Sequence, residues 1–489
     1  MEYYKLIDSY KEDMVQTLTE LASINSVQTV PVTLADGTYL PFGEGVHRAY
    51  EYMLARAEKD GFAAVNVDNY GGHLEFGGEN GTMGILAHLD VVPEGDGWSS
   101  DPFIPEIRNG RMYGRGTADD KGPMLAVYFA MKALKESGFQ PSKKVRLILG
   151  LDEETAWEGM KYYLSKVDAP DFGFTPDADF PVIHGEKGNL VFLLEKSFDC
   201  STDSPAKSSG LPVTRLSGGS APNIVPGTAA AFVADPVPET AEIVNSLAAA
   251  YGRQTGYQVT VVLQEGGFTI ETTGIPAHSA RPETGLNAIS ILMDFLGKFP
   301  VQGPAAEIIQ FYNQHIGFEL DGESMGCGLR DEPSGKLVFN VGQILLNTSG
   351  CRLDINIRFP VLSSAEEVHE ALKPVMDKYG FTFTELRRMK PIYIPADDPY
   401  IQILMEVYQK HTGDYESRPM VKNYSSYAKA ADGIVAFGSA RFNDEPETAH
   451  EKDENISLDT FFRTCKMYAD VIYLCTKQSG YIPVYKTRK

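Results

Sequence analysis

Two short apolar runs that each stop abruptly at acidic residues constrain this chain more than any other feature. Met83 to Ala87, MGILA, leads into His88-Leu89-Asp90, and Val145 to Leu151, VRLILGL, leads into Asp152-Glu153-Glu154. Runs of this length bounded by polar residues read as interior strands. Between them Leu125, Tyr128, Met131 and Leu134 recur at three-residue spacing, Val127 and Ala130 widen the stripe, and Gly138 supplies a stop. That pattern predicts an amphipathic helix. Strand, helix, strand implies an α/β sheet, in which functional groups collect beyond the carboxyl ends of the strands. Both acidic clusters sit there.

The 489 residues exceed one ordinary domain. After Lys187 the texture changes: KSFDCSTDSPAKSSG is polar and Ser-rich, and strand-then-acid junctions thin out as far as Arg388. The last hundred residues return to strong patterns, including the helical run LDTFFRTCKMYADVIYLC. The expected layout is an α/β domain in two pieces, residues 1–186 and 386–489, whose central mixed sheet is flanked by helices. An α+β domain, residues 187–385, is inserted between them.

Charge narrows the function classes. Lys and Arg number 44 against 66 Asp and Glu, so 44 − 66 = −22, a surplus that repels phosphate backbones and anionic lipid. No nucleic-acid or membrane partner is expected. No run of about 18 apolar residues occurs, and Met1 to Glu20 carries charges where a secretory leader would be apolar. A cytoplasmic protein is expected. Cys200, Cys327, Cys351, Cys465 and Cys475 are odd in number, scattered and without a Cys-x-x-Cys unit, and read as buried thiols.

Strand alternation points His88 and Asp90 to one side. An imidazole backed by a carboxylate suits a metal ligand, because the acid fixes the tautomer and raises the basicity of the ring. A lone His-x-Asp is weak evidence, and Asp119-Asp120, Asp152-Glu153-Glu154 and Asp177 would each, taken singly, read as a solvated acidic loop. Together, at the ends of buried elements, such acids repel one another unless cations neutralise them. A metal site is the economical reading.

The ordered series HLDVVPEGDGW, DPF, YGRGTADDKGP, DEE, PDADFP, GIPAHSARPETGLNA, INIRFP and ETAHEKDE spans most of the chain. It resembles the di-zinc metallopeptidase family of aminoacylases, carboxypeptidase G and carnosinases, and most of all its dipeptidase V branch. The resemblance implies a zinc-peptidase-like catalytic domain with the inserted domain as a lid. It implies that Asp119 bridges two metals and that His88 and Asp177 complete one site and Glu154 and His450 the other, with Asp90, on the strand reading above, supporting His88. Glu153 is then the general base acting on a metal-bridging hydroxide. His278 donates to the oxyanion from the lid, Arg358 holds the substrate carboxylate and Asn223 orients its backbone. A cis peptide between Asp119 and Asp120 is also implied.

The cofactor is thus expected to be two divalent ions, zinc first, with manganese and cobalt sharing the same ligand types. The substrate is expected to be a dipeptide with a free N-terminus, and the length of the insertion resembles the monomeric branch. An N-acyl-amino-acid deacylase and a catalytically silent peptide-binding relative remain alternatives. His47, His73, His184, His315, His369 and His411 lack partnered motifs and read as structural or exposed. One departure stands out: Lys422, Asn423 and Ser425 occupy a stretch that is Gly-rich in the dipeptidase V branch. Side chains there should reshape the pocket.

Overall fold

A computed structural model of the chain describes residues 1–198, 210–235, 237–438, 440–442 and 445–477. The chain divides into two units, one made of Met1–Gly185, Ile394–Met420 and Ser425–Lys489, the other of Glu186–Tyr393 and Val421–Tyr424. Leu386, where the second piece of the catalytic domain was expected to begin, lies inside the strand Thr382–Met389 of the second unit. The chain returns to the first unit at Ile394 and crosses once more at residues 421–424.

In the first unit, strands β1 (Ala63–Val67), β2 (Gly71–Gly77) and β3 (Thr82–His88) are followed by helix α1 (Lys121–Glu136). Then come β4 (Lys144–Gly150), α2 (Glu158–Lys166), β5 (Phe172–Thr175), β6 (Ile183–Glu186), β7 (Ile434–Ala436) and α3 (Leu458–Thr476). These strands lie in the order β6-β7-β5-β3-β4-β2-β1. The pairs β7–β5, β5–β3 and β3–β4 are parallel, while β4–β2, β2–β1 and β6–β7 are antiparallel. The sheet is mixed, as expected. After their first residue, β3 and β4 are buried throughout, which accounts for their unbroken apolar sequences. Helix α1 is the predicted one, and Gly138 beyond its end takes a left-handed φ of 79°.

The second unit is built on an eight-stranded antiparallel sheet. Its order is Gln258–Gln264, Gly267–Thr273, Thr228–Val233, Val213–Gly218, Val338–Leu346, Gly350–Phe359, Gly188–Ser197 and Thr382–Met389. Helices Pro238–Thr255, Ala288–Leu296, Pro304–His315 and Ala365–Tyr379 contribute to the same core as the sheet. A separate short ribbon pairs Ile224 with His278 and Val225 with Ala277.

Each unit has its own apolar core. Cys327, Cys351, Cys465 and Cys475 are buried free thiols, while Cys200 lies outside the described residues. No helix among the described residues is long and apolar enough to cross a membrane.

Candidate metal centre

Four parallel strands end on one edge of the first unit's sheet, and the candidate ligands follow those ends. His88 is the last residue of β3, Glu153 and Glu154 follow β4, Asp177 follows β5, and His450 lies in the loop after β7. Asp119 lies just ahead of Asp120, the N-cap residue that opens α1, and the peptide between the two is cis. Six residues from five stretches of sequence converge there.

Asp119 occupies the middle. Its Oδ1 lies 3.0 Å from His88 Nε2 and its Oδ2 lies 3.0 Å from His450 Nε2. Asp177 Oδ2 is 3.5 Å from the same His88 nitrogen, and Glu154 Oε1 is 2.9 Å from His450 Nε2. Donor atoms of His88, Glu153 and Asp177 fall within 4.8 Å of one another, as do those of His88, Asp119 and Glu154. One carboxylate thus faces two imidazoles, with a further acid beside each ring.

His88 Nδ1 lies 3.0 Å from the backbone carbonyl oxygen of Asp90. A carbonyl only accepts, so Nδ1 carries the proton and donates, and Nε2 is left to face Asp119 and Asp177. This refines the expected part of Asp90. Its carboxylate, 3.5 Å from Nδ1, instead accepts the backbone N–H of Glu153 at Oδ1 (3.1 Å) and of Glu154 at Oδ2 (3.0 Å). Asp90 therefore aims both glutamates while its main chain sets the His88 tautomer.

The electrostatics explain why this donor set suits cations. Burial, reinforced by Asp177, pushes Glu153 well above the usual carboxylate range. Burial and Asp119 raise Glu154 to about 7, and burial and Asp119 raise Asp177. His450 is held up at about 11 by hydrogen bonds to Asp119 and Glu154. Burial disfavours a charged His88 ring, yet the nearby carboxylates of Asp119, Asp177 and Asp90 outweigh it and the His88 pKa rises. Asp119 alone is driven down, the two rings outweighing its burial. Four clustered carboxylates and two imidazoles demand positive charge between them, and a pair of divalent cations would supply it. His88, Asp119 and Asp177 would hold one, and Asp119, Glu154 and His450 the other.

Sequence reasoning missed the support beneath Asp119. Glu454, with no exposed surface, accepts the backbone N–H groups of Ala118 (2.8 Å) and Asp119 (3.0 Å) at Oε1 and the Arg115 guanidinium (2.5 Å) at Oε2. Both residues stand in quoted motifs, YGRGTADDKGP and ETAHEKDE, and two opposite charges there were the available signal.

The remaining candidates belong to the second unit. His278 pairs across the ribbon with Ile224, and Asn223, just before that strand, accepts the N–H of Ser279 at its carbonyl (2.9 Å). Arg358 is buried on Gly350–Phe359, and burial together with Arg387 lowers it to about 10. Arg352, which could be confused with it in sequence, is 43% exposed and makes a two-pronged pair with Asp354 at 2.7 Å. Of the histidines set aside, His73 meets the Tyr163 hydroxyl, His184 the Ile394 carbonyl and His411 the Asp470 carboxylate.

Residues 84–474 match the family model described as Peptidase family M20/M25/M40. The Bacillus subtilis (strain 168) protein named "Putative dipeptidase YtjP" is 34% identical over 468 residues, covering 96% of this chain and 98% of that one. Aminoacylhistidine dipeptidase from Vibrio alginolyticus superposes with a TM-score of 0.57 at 13% identity, over 94% of this chain and 96% of that one. The dipeptidase Dug1p from Saccharomyces cerevisiae does so with a TM-score of 0.54 at 13% identity, over 96% and 97%. These two likenesses show the fold.

Proposed function

The chain belongs to peptidase family M20/M25/M40, a metallopeptidase family, and on that footing we propose that it is a dipeptidase working with two divalent cations, zinc first among them. Its substrate is a dipeptide with a free N-terminus, and its setting is the cytoplasm, as a monomer. The observation that carries this reading is the Asp119 carboxylate set 3.0 Å from an imidazole nitrogen on either side.

When bound, paired divalent cations polarise the scissile carbonyl and bring the pKa of the attacking water toward ≈ 7. Glu153 accepts the proton that this water gives up as its oxygen adds to the carbonyl carbon. Glu153 then returns the proton to the amine nitrogen as the C–N bond breaks. Asp90 keeps that carboxyl and its Glu154 neighbour aimed through their backbone N–H groups. His278 donates to the oxyanion, Arg358 binds the free carboxylate of the dipeptide with its planar fork, and Asn223 orients the substrate backbone. Support for the first two parts comes from the family motifs GIPAHSARPETGLNA and INIRFP, and for Asn223 from its place beside the strand that pairs with His278.

Purified protein should hold two metal ions per chain, cleave Ala-Ala, and stop when a chelator is added. Glu153→Gln should keep both ions while turnover falls roughly 10²–10⁴-fold. Full turnover in that variant would remove Glu153 as the proton carrier. Cleavage of N-acetyl-alanine in preference to Ala-Ala would make the enzyme a deacylase instead.

A further inference from the structure

Segment 421–424 belongs to the second unit although the residues on both sides belong to the first. Its backbone is tied to that unit where the Lys187 N–H donates to the Lys422 carbonyl at 2.9 Å. One side-chain tie is Asn423, whose Nδ2 donates to the carbonyl of Ala280 at 3.0 Å. The N–H of the same alanine donates to His278 Nδ1 at 3.2 Å. Ala280 is thus gripped from both sides, by a ring nitrogen at its amide and by Asn423 at its carbonyl.

The consequence is chemical. A nitrogen that accepts a backbone N–H holds a lone pair, so the neutral His278 ring must carry its proton on Nε2. Partial burial, with Arg358 and Arg281 adding positive charge, holds the His278 pKa below its ordinary value and keeps the ring neutral near pH 7. The rest of the turn is fixed by Ser279, whose hydroxyl donates to Asn356 Oδ1 at 2.8 Å, and by Asn356 in turn donating to Asn189 Oδ1 at 2.7 Å. A glycine at position 423 has no side-chain donor to offer the Ala280 carbonyl.

We propose that Asn423 is a positioning residue that fixes the Ala280 turn and so selects the His278 tautomer with its proton on Nε2, the form able to donate a hydrogen bond to a developing oxyanion. The catalytic half of this statement rests on the proposed dipeptidase reading. The tautomer half does not.

The test uses full-length, metal-loaded protein labelled with ¹⁵N at histidine, the His278 signals being assigned from their loss in His278→Gln. At pH 8 the wild type should show a protonated Nε2 and an unprotonated Nδ1. Asn423→Ala and Asn423→Asp, the second of equal size but without a donor, should lower the ratio of the two tautomers about fivefold. Both should lower kcat on Ala-Ala by about fivefold with KM within about twofold, the worth of one hydrogen bond. Asn423→Gln, which restores a donor, should recover part of both effects. Unchanged ¹⁵N shifts in the alanine and aspartate variants overturn the proposal whatever their activity, and so does wild-type kcat alongside shifted tautomers. Full turnover in His278→Ala would instead remove the oxyanion part from the dipeptidase reading, while the nitrogen shifts still decide what Asn423 does to the ring.

Discussion

Glu454 and Arg115 form an ion pair with essentially no exposed surface, 0% and 1% for the two side chains. Burying two charges is costly, and removing one partner of such a pair costs about 3–5 kcal/mol. What the pair does here is mechanical. Arg115 also donates to the carbonyls of Pro93 (3.3 Å) and Glu94 (3.2 Å), while Glu454 grips the amides on either side of the Ala118-Asp119 bond and lies four residues beyond His450. The loop carrying one imidazole is thereby fastened to the segment carrying the shared carboxylate. Glu454→Gln keeps an acceptor oxygen for the two amides but loses the charge opposite Arg115. Metal affinity should drop about 10–100-fold, as when outer hydrogen bonds of a metal ligand are loosened. Metal titration by calorimetry, with circular dichroism to confirm folding, measures it. Wild-type affinity in a folded variant would show that the two loops keep their places without this pair.

Among the elements, β2 carries a second buried titratable group, His73, which meets the Tyr163 hydroxyl at Nδ1 (2.8 Å) and lies 3.5 Å from Glu75. Burial, aided by the Arg146 charge, pulls its pKa down to about 4. An unfolded histidine titrates near 6.5, so between pH 6.5 and 4 the unfolded chain binds a proton that the folded chain refuses. The stability tied to this group is complete above pH 6.5 and is lost as pH falls toward 4, with no further loss below, amounting to roughly 3 kcal/mol. His73→Asn keeps an acceptor for Tyr163 and cannot titrate. Its urea midpoint should fall less than that of the wild type between pH 7 and 4.5, and equal falls would rule out His73 as the source. The elements themselves were unevenly legible. β3 and β4 showed plainly in sequence because burial on both faces demands unbroken apolar residues. Helix α1 showed only as a stripe, yet Lys121 through Met131 is buried on every side, including polar-looking positions that local periodicity cannot mark as interior. The boundary expected between residues 385 and 386 falls inside strand Thr382–Met389, an edge strand with six of its eight residues exposed, whose sequence therefore carries no apolar signature to mark it as part of the inserted unit. The candidate ligand acids Glu153, Glu154 and Asp177 were visible because they follow strand ends, and Asp119 because it stands just ahead of a helix, whereas Glu454 and Arg115 read as solvated charges like any others.

At the scale of the whole chain, two apolar cores draw on two different sets of residues, and all the candidate ligands belong to the first. His88, Asp119, Glu153, Glu154, Asp177 and His450 fall within Met1–Gly185 or Ser425–Lys489. Cations that bind the folded first unit and not the unfolded chain stabilise only that unit, by about 2.7 kcal/mol for each site held at a hundred times its Kd. For a unit of this size each kcal/mol moves the melting temperature by about 2–4 °C, so stripping both ions should lower its transition by roughly 10–20 °C. Removing the ions also restores the repulsion among buried carboxylates, which acts in the same direction. The second unit has no share in either effect, so its transition should stay within about 1 °C. A built-in reporter separates the two: the chain's only tryptophans, Trp98 and Trp157, both lie in the first unit. Melts followed by tryptophan fluorescence should therefore shift with chelator by the full amount, while calorimetry retains an unmoved transition that the fluorescence does not see. If every transition moved together, the two cores would be melting as one cooperative body, and the metal centre would be holding up the whole chain instead of half of it.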